Sequence, residues 1–320
     1  MTFVVPRGRS HPRFWSRVAL RPALAAATAM LALLTTGVGT AAGQISSTVQ
    51  FQSSYRAYGY WDDWKWLLPD KCTLTQPIYG SEPSAPGRYP VLLYLHGTLA
   101  DWGGNVEGRR VADLAADRGF VAAAFTYDSW VVNSISAVDG NAKCMFSPGS
   151  SGNALADVCA RPKSDCSTGV VVAGFSAGGS IAARARNFAP LVRAGWLLGV
   201  NGPAIPEALA APAGSRALPN NRIRIVVGSS DVTELTALNR LTGLNCSASP
   251  CLGPDGSGYY VVQNSEVADR VADHCWWQSV NTWVPSNSCT WSPTFDPGFA
   301  SGGTPWSLPT NLDWLATALG

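Results

Sequence analysis

Val91-Leu92-Leu93-Tyr94-Leu95 is apolar at every position, and similar runs recur downstream at 120–125, 169–173, 196–200, 223–227 and 259–262. Apolar runs of this length fit strands buried on both faces. Helix-like segments lie among them. Residues 105–118 carry Val106, Val111, Leu114 and Ala115 at helical spacing, with Gly119 at the end. Residues 176–188 are mostly small, and 234–241 and 312–319 complete the set. Strands that alternate with helices build a mainly parallel sheet covered by helices on both sides, an α/β fold. Three stretches stand outside the alternation. Residues 44–70 are aromatic-rich and are read as antiparallel edge strands. Residues 131–168 are read as a Gly/Ser/Cys-rich insertion organised by disulfides, and 265–310 as ordered loops pinned by Cys275 and Cys289. With no internal repeat and no long low-complexity linker, residues 44–320 are expected to form a single domain.

The first residues have a different chemistry. Arg7, Arg9, Arg13, Arg17 and Arg21 precede an alanine- and leucine-rich run from Ala23 to Val38, then Gly39-Thr40-Ala41-Ala42-Gly43. A basic start, a short apolar core and small residues at the end describe a secretory signal peptide over residues 1–43, cleaved after Ala42 or Gly43. An uncleaved membrane anchor is the alternative, because the run approaches spanning length. The cleavable reading implies a secreted, extracellular protein with no stable membrane anchor. All eight cysteines follow the leader, an even number that implies up to four disulfides in an oxidising compartment. The sequence-close pairs Cys246–Cys251 and Cys275–Cys289 are plausible bridges. Formal net charge is +2, but beyond the leader acidic residues outnumber basic ones, so no nucleic-acid partner is expected. No Cys-x-x-Cys or ligand cluster is present, so neither a metal nor another cofactor is expected.

The chemistry concentrates in Gly174-Phe175-Ser176-Ala177-Gly178, a G-x-S-x-G match. By chance such a match arises about 0.3 times in a chain of this composition, so the pattern alone is weak. Its setting is stronger. It directly follows the apolar Val170-Val171-Val172 and opens a helix, as a nucleophile elbow requires. A serine hydroxyl attacks only when a positioned imidazole takes its proton. The chain has three histidines: His11 in the leader, His96 at the end of a strand, and His274 after the last strand. His274 is therefore the expected base, and His96 a loop-organising residue. The acid should follow a strand between serine and histidine. Asp231, just after Ile223–Val227, fits that place, with Glu234 and Glu266 as reserves. Asp231 could instead cap the helix at Glu234. Asp273 is discounted because side chains of adjacent residues seldom face each other. Backbone N–H groups of Ala177 and of Thr98 or Leu99, in His96-Gly97-Thr98-Leu99, are the expected oxyanion hole, with Thr98 preferred.

Taken in chain order, strand-His96-Gly97, the elbow, Asp231 and His274 resemble the α/β-hydrolase superfamily over residues 72–320. The resemblance implies an eight-stranded, mainly parallel sheet flanked by helices and a Ser–Asp–His triad. Within the superfamily the chain is similar to exported bacterial esterases, lipases and polyester hydrolases. It departs from the common polyester-hydrolase elbow, which often has histidine where Phe175 stands. Only about 20 residues separate Val200 from Ile223, which suggests a short or absent lid and an open site. Phe175, Trp276 and Trp277 are the candidate substrate-binding residues. Tryptophans in pinned loops also serve simply to pack them. The expected activity is hydrolysis of small or polymeric esters by a monomeric enzyme. A serine peptidase or amidase on the same fold and a catalytically inactive binding protein are the alternatives.

Overall fold

The structure, a computed structural model, describes residues 47–59, 71–98, 104–129, 134–150, 152–200, 214–232, 234–279 and 294–320, with Val132, Pro212 and Cys289 between them. The leader read over 1–43, the Val200–Ile223 crossing as far as position 211, and Trp61, Trp64, Trp66, Trp283 and Trp291 lie outside the described residues. Ile45–Gly320 is one compact unit by its contacts.

Nine strands form the main sheet: β1 (Thr48–Tyr58), β2 (Cys72–Pro83), β3 (Tyr89–Leu95), β4 (Val121–Phe125), β5 (Ser164–Phe175), β6 (Val192–Leu198), β7 (Ile223–Gly228), β8 (Cys251–Leu252) and β9 (Gly258–Val262). Their order is β1-β2-β4-β3-β5-β6-β7-β9-β8. β1 with β2, β2 with β4 and β8 with β9 are antiparallel, and the other pairs are parallel. Leaving aside the two-residue β8, this is the strand order and direction of the α/β-hydrolase fold. The expected eight strands thus become nine, because the Cys246–Cys251 bridge and the turn before Gly258 fold a short ribbon onto the β9 edge.

Helices α1 (Val106–Ala116), α2 (Ile135–Phe146), α3 (Ala154–Cys159), α4 (Ala177–Arg184), α5 (Leu235–Thr242), α6 (Pro297–Ser301) and α7 (Leu308–Thr317) cover the sheet. Alternate residues of each central strand serve opposite faces. Val91, Leu93 and Leu95 join α2, α4 and α5 in one core, and Leu92 and Tyr94 join α1 and α7 in the other. Both faces are dry, which is why the runs are continuously apolar rather than alternating. Truncating a fully buried residue such as Leu93 to alanine should cost about 2–5 kcal/mol.

The 131–168 stretch, read as an insertion organised by disulfides, is tied by two of them and folds largely as regular structure. It contains α2, α3 and the start of β5. Ser134 caps α2 by accepting the Ala137 N–H, and Asn153 caps α3 by accepting the Ala156 N–H. Gly140 within α2 admits the ring of Tyr58, whose atoms would lie 2.6 Å from a Cβ there. Two disulfides, Cys72–Cys144 and Cys159–Cys166, tie this region to β2 and β5. The remaining cysteines pair as Cys246–Cys251 and Cys275–Cys289.

Candidate active site

The C-terminal ends of β5 and β7, together with the turn that follows β9, converge on one point. Val170–Ala173 is packed on both sides, so the chain must turn sharply where β5 leaves the sheet and α4 begins. The turn falls on Ser176, which holds φ 53° and ψ −118°, a conformation rare for a residue with a Cβ. Two neighbours make the turn possible. A Cβ on Gly174 would lie 2.4 Å from the Gly178 carbonyl oxygen, and one on Gly178 would lie 2.1 Å from the Leu95 carbonyl oxygen. Those contacts are to backbone and cannot yield, so both positions require glycine. Ser176 is the N-cap residue of α4, yet its side chain makes no capping hydrogen bond.

The Ser176 hydroxyl lies 2.9 Å from Nε2 of His274, and Nδ1 of the same ring lies 2.8 Å from Oδ2 of Asp231. A carboxylate only accepts, so Nδ1 carries the proton and Nε2 is the free acceptor aimed at the serine hydroxyl. Ser176 and Asp231 are buried, and the His274 side chain is 18% exposed. Asp231 follows β7 in a tight turn in which its N–H donates to the Gly228 carbonyl. It does not cap α5, whose N-cap residue is Glu234. Gly228 has its own steric duty: a Cβ there would meet the Ala272 and Asp273 carbonyl oxygens at 2.2 and 2.4 Å, so the His274 turn runs directly over the end of β7. The Ser230 N–H donates to the Ala272 carbonyl, and the Ala272 N–H donates to Asn264 Oδ1, which fixes that turn.

The other acidic candidates are engaged elsewhere. Glu234 is exposed. Glu266 accepts from the Tyr260 hydroxyl, the Gln263 N–H and the Trp306 indole N–H. Asp273 accepts the Cys275 N–H. His96 is fully buried and stacks on Tyr127 at 4.3 Å. Its Nδ1 lies 2.7 Å from the Gly97 carbonyl, and its Nε2 lies 3.4 Å from the Tyr127 N–H, the geometry of a neutral, Nδ1-protonated ring. The Tyr127 hydroxyl donates to the His96 carbonyl. His96 therefore builds the turn after β3.

Ala177 is the first residue of α4 and is buried, with its N–H at the helix N-terminus. Thr98 is exposed in the turn after β3, and Leu99 lies outside the described residues. The close approach of Gly178 to the carbonyls of Leu95 and His96 brings that turn beside the elbow.

The three residues expected to bind substrate are core residues instead. Phe175, Trp276 and Trp277 are 2%, 1% and 1% exposed. Phe175 wedges between the His274 ring at 4.9 Å and Trp277 at 5.0 Å. Trp276 packs on Phe299 and Trp306, and Trp277 on Phe295 and Phe299. The aromatic crowding in the sequence reflects a second core beneath the histidine turn, which small disulfide-tied loops need to hold their shape. Tyr127 and Asn264 also shape the turns of the site and are not legible in the sequence, because each acts through a fold contact with no motif of its own.

No family model matches the chain, and no curated protein matches it. Solved structures share its outline at low identity. The chain is similar to a structure from a study of two Rhizomucor miehei esterases and their substrate specificity, at 12% identity and TM-score 0.47 over 86% of this chain and 85% of that one. It is similar to a Klebsiella pneumoniae protein described as a dienelactone hydrolase, at 13% and 0.38 over 68% and 85%. A thermostable Pseudomonas putida esterase gives 14% and 0.39 over 62% and 71%.

Proposed function

We propose that this protein is a serine hydrolase that cleaves carboxylic esters, with Ser176 as nucleophile, His274 as general base and Asp231 as the group that orients the imidazole. One observation carries the reading: the unbroken chain of two hydrogen bonds from Asp231 through His274 to the Ser176 hydroxyl, on a strained strand-to-helix turn. In the first step Nε2 takes the serine proton while Oγ attacks the ester carbonyl. The imidazolium then stands against the Asp231 carboxylate, which stabilises it. The tetrahedral oxyanion is held by the N–H groups of Ala177 and Thr98, aided by the positive end of α4. The protonated imidazole gives its proton to the departing alkoxide, leaving an acyl group on Ser176. Water activated by the same base then releases the acid.

The finer features of the proposal are an exported enzyme, residues 1–43 acting as its leader, working as a monomer on hydrophobic, lipid-like or polyester substrates. Four disulfides support an oxidising compartment.

The test is Ser176→Ala, assayed on a chain-length series of p-nitrophenyl esters and, in parallel, on aminoacyl anilides. Ester turnover should fall by about 10⁶-fold, the magnitude seen when a triad serine is lost, while circular dichroism stays unchanged. Ester hydrolysis within tenfold of the parent removes the triad. Faster turnover of anilides than esters by the parent makes it an amidase.

A further inference from the structure

Glu107 is a carboxylate that the proposed chemistry does not use, yet it is buried, 4% exposed, in the first turn of α1. Its cap duties are already met, because Asn105 accepts the Gly108 N–H. Instead the carboxylate accepts the hydroxyl of Tyr94 on β3 and the backbone N–H of Gly97. Gly97 is the middle residue of the His96–Thr98 turn. On its other side that turn is pressed against Phe175, whose ring atoms would lie 2.5 Å from a Cβ on Gly97. The turn is thus gripped from one side by an apolar ring and from the other by a carboxylate.

Among the described residues, the arginines and carboxylates around Glu107 have other partners. Arg109 and Arg110, on the same helix, lie over the rings of Tyr79 on β2 and Phe295. Glu82 on β2 pairs with Arg161, and Gln50 on β1 donates to Asp113 of α1. From β3 the titratable groups are Tyr94 and, at the strand end, the neutral His96; from the segment after β4 it is Tyr127, which faces Tyr94. Burial pushes the Glu107 carboxyl up to about 7, and the hydrogen bonds from Tyr94 and Gly97 oppose that rise.

We propose, on the serine-hydrolase reading above, that Glu107 is a positioning residue: by accepting the Gly97 N–H and the Tyr94 hydroxyl it fixes the His96–Thr98 turn so that the Thr98 N–H faces the acyl oxygen beside that of Ala177. Donors that must meet an oxyanion act only if they are held in place before the charge develops. The ionised carboxylate is the stronger acceptor of an N–H, so its grip tightens as it loses its proton.

The experiment compares wild type with Glu107→Gln, Glu107→Ala and Tyr94→Phe, with Ser176→Ala as control, on a short p-nitrophenyl ester. Glu107→Ala should lower kcat by about 100-fold with KM within threefold, because a displacement of about 1 Å costs that much in rate and the turn does not bind the ester in its ground state. Glu107→Gln keeps an acceptor for Gly97 and should recover most of the loss. As pH falls through about 7, kcat/KM of the parent should fall by about threefold in a step that Glu107→Gln lacks, because only the parent gains a proton there and a neutral acceptor holds the Gly97 N–H less tightly. If Glu107→Ala does not fold, the missing step in Glu107→Gln and the loss of kcat in Tyr94→Phe carry the test. Full kcat in a folded Glu107→Ala, or a pH step of the same size in Glu107→Gln, overturns the assignment. Activity retained by Ser176→Ala overturns instead the hydrolase reading on which it rests.

Discussion

Ser176→Gly should be more stable than Ser176→Ala, by a margin set by the backbone of the elbow. Its φ of 53° and ψ of −118° carry a strain of about 1–3 kcal/mol for any residue with a Cβ. Both variants lose the hydroxyl bonded to His274 Nε2, so the difference between them cancels that bond. Alanine keeps the strain, whereas glycine releases it. Against this, glycine at a relaxed position is worse than alanine by about 0.5–1 kcal/mol, through the greater freedom of the unfolded chain. Taking the middle of each range, Ser176→Gly should be more stable than Ser176→Ala by about 1 kcal/mol. At about 2–4 °C per kcal/mol for domains approaching this size, that is a difference of roughly 2 °C in Tm. The measurement is parallel unfolding of the two oxidised proteins in guanidinium and by heat, followed by near-ultraviolet circular dichroism. Both are inactive, so turnover plays no part. If the glycine variant is the less stable by the ordinary margin, the elbow is not strained and the reading of its backbone is wrong.

Asp231→Asn should leave the fold intact and lower kcat by about 10⁴-fold, since an amide in place of the carboxylate favours the wrong imidazole tautomer; single-turnover kinetics would show the loss in acylation, and a change under tenfold would move the acid elsewhere. Cys275→Ser with Cys289→Ser opens a loop whose ends are 14 residues apart, worth about 3 kcal/mol in chain entropy, and because Cys275 adjoins His274 activity should drop at temperatures well below melting. Full activity with a lowered Tm would make that bridge a staple alone. Glu107 ionises with difficulty in the folded state, its carboxyl raised from 4.5 to about 7, so the folded protein holds that proton more tightly than the unfolded chain does. Its contribution is therefore fully present below about pH 4.5 and is lost as pH rises through 7, by an amount on the order of 3 kcal/mol. Guanidinium midpoints of the parent and Glu107→Gln at pH 4.5 and 8 should show the parent losing stability relative to the variant, and a constant difference would contradict the shift.

What the sequence determined by itself was whatever depends on neighbours along the chain. The six apolar runs are strands because a both-faces-buried strand has only one composition open to it, and Val91–Leu95 and Val170–Ala173 show that composition plainly. The elbow is legible for the same reason: its two glycines and its serine act within five residues, and the steric demand is local. Asp231 and His274 could be nominated by their places after strands and by the scarcity of histidines, although nothing in their own flanks shows a contact spanning 43 residues. Only the tertiary structure decided what the aromatic residues do. Trp276 and Trp277 have the chemistry of a substrate pocket and of a core alike, and it was the arrival of Phe295, Phe299 and Trp306 from downstream that buried them. The place of Gly140 in α2 is likewise decided at a distance, because Tyr58, from the first strand, fills the space its missing side chain leaves. Glu107 is the extreme case. At the start of a helix an acidic residue is ordinary, and its grip on Gly97 exists only because parallel pairing sets β3 beside β4 and returns α1 across them. Burial and partnership belong to the packed molecule, since both are set by residues that no local window of sequence contains.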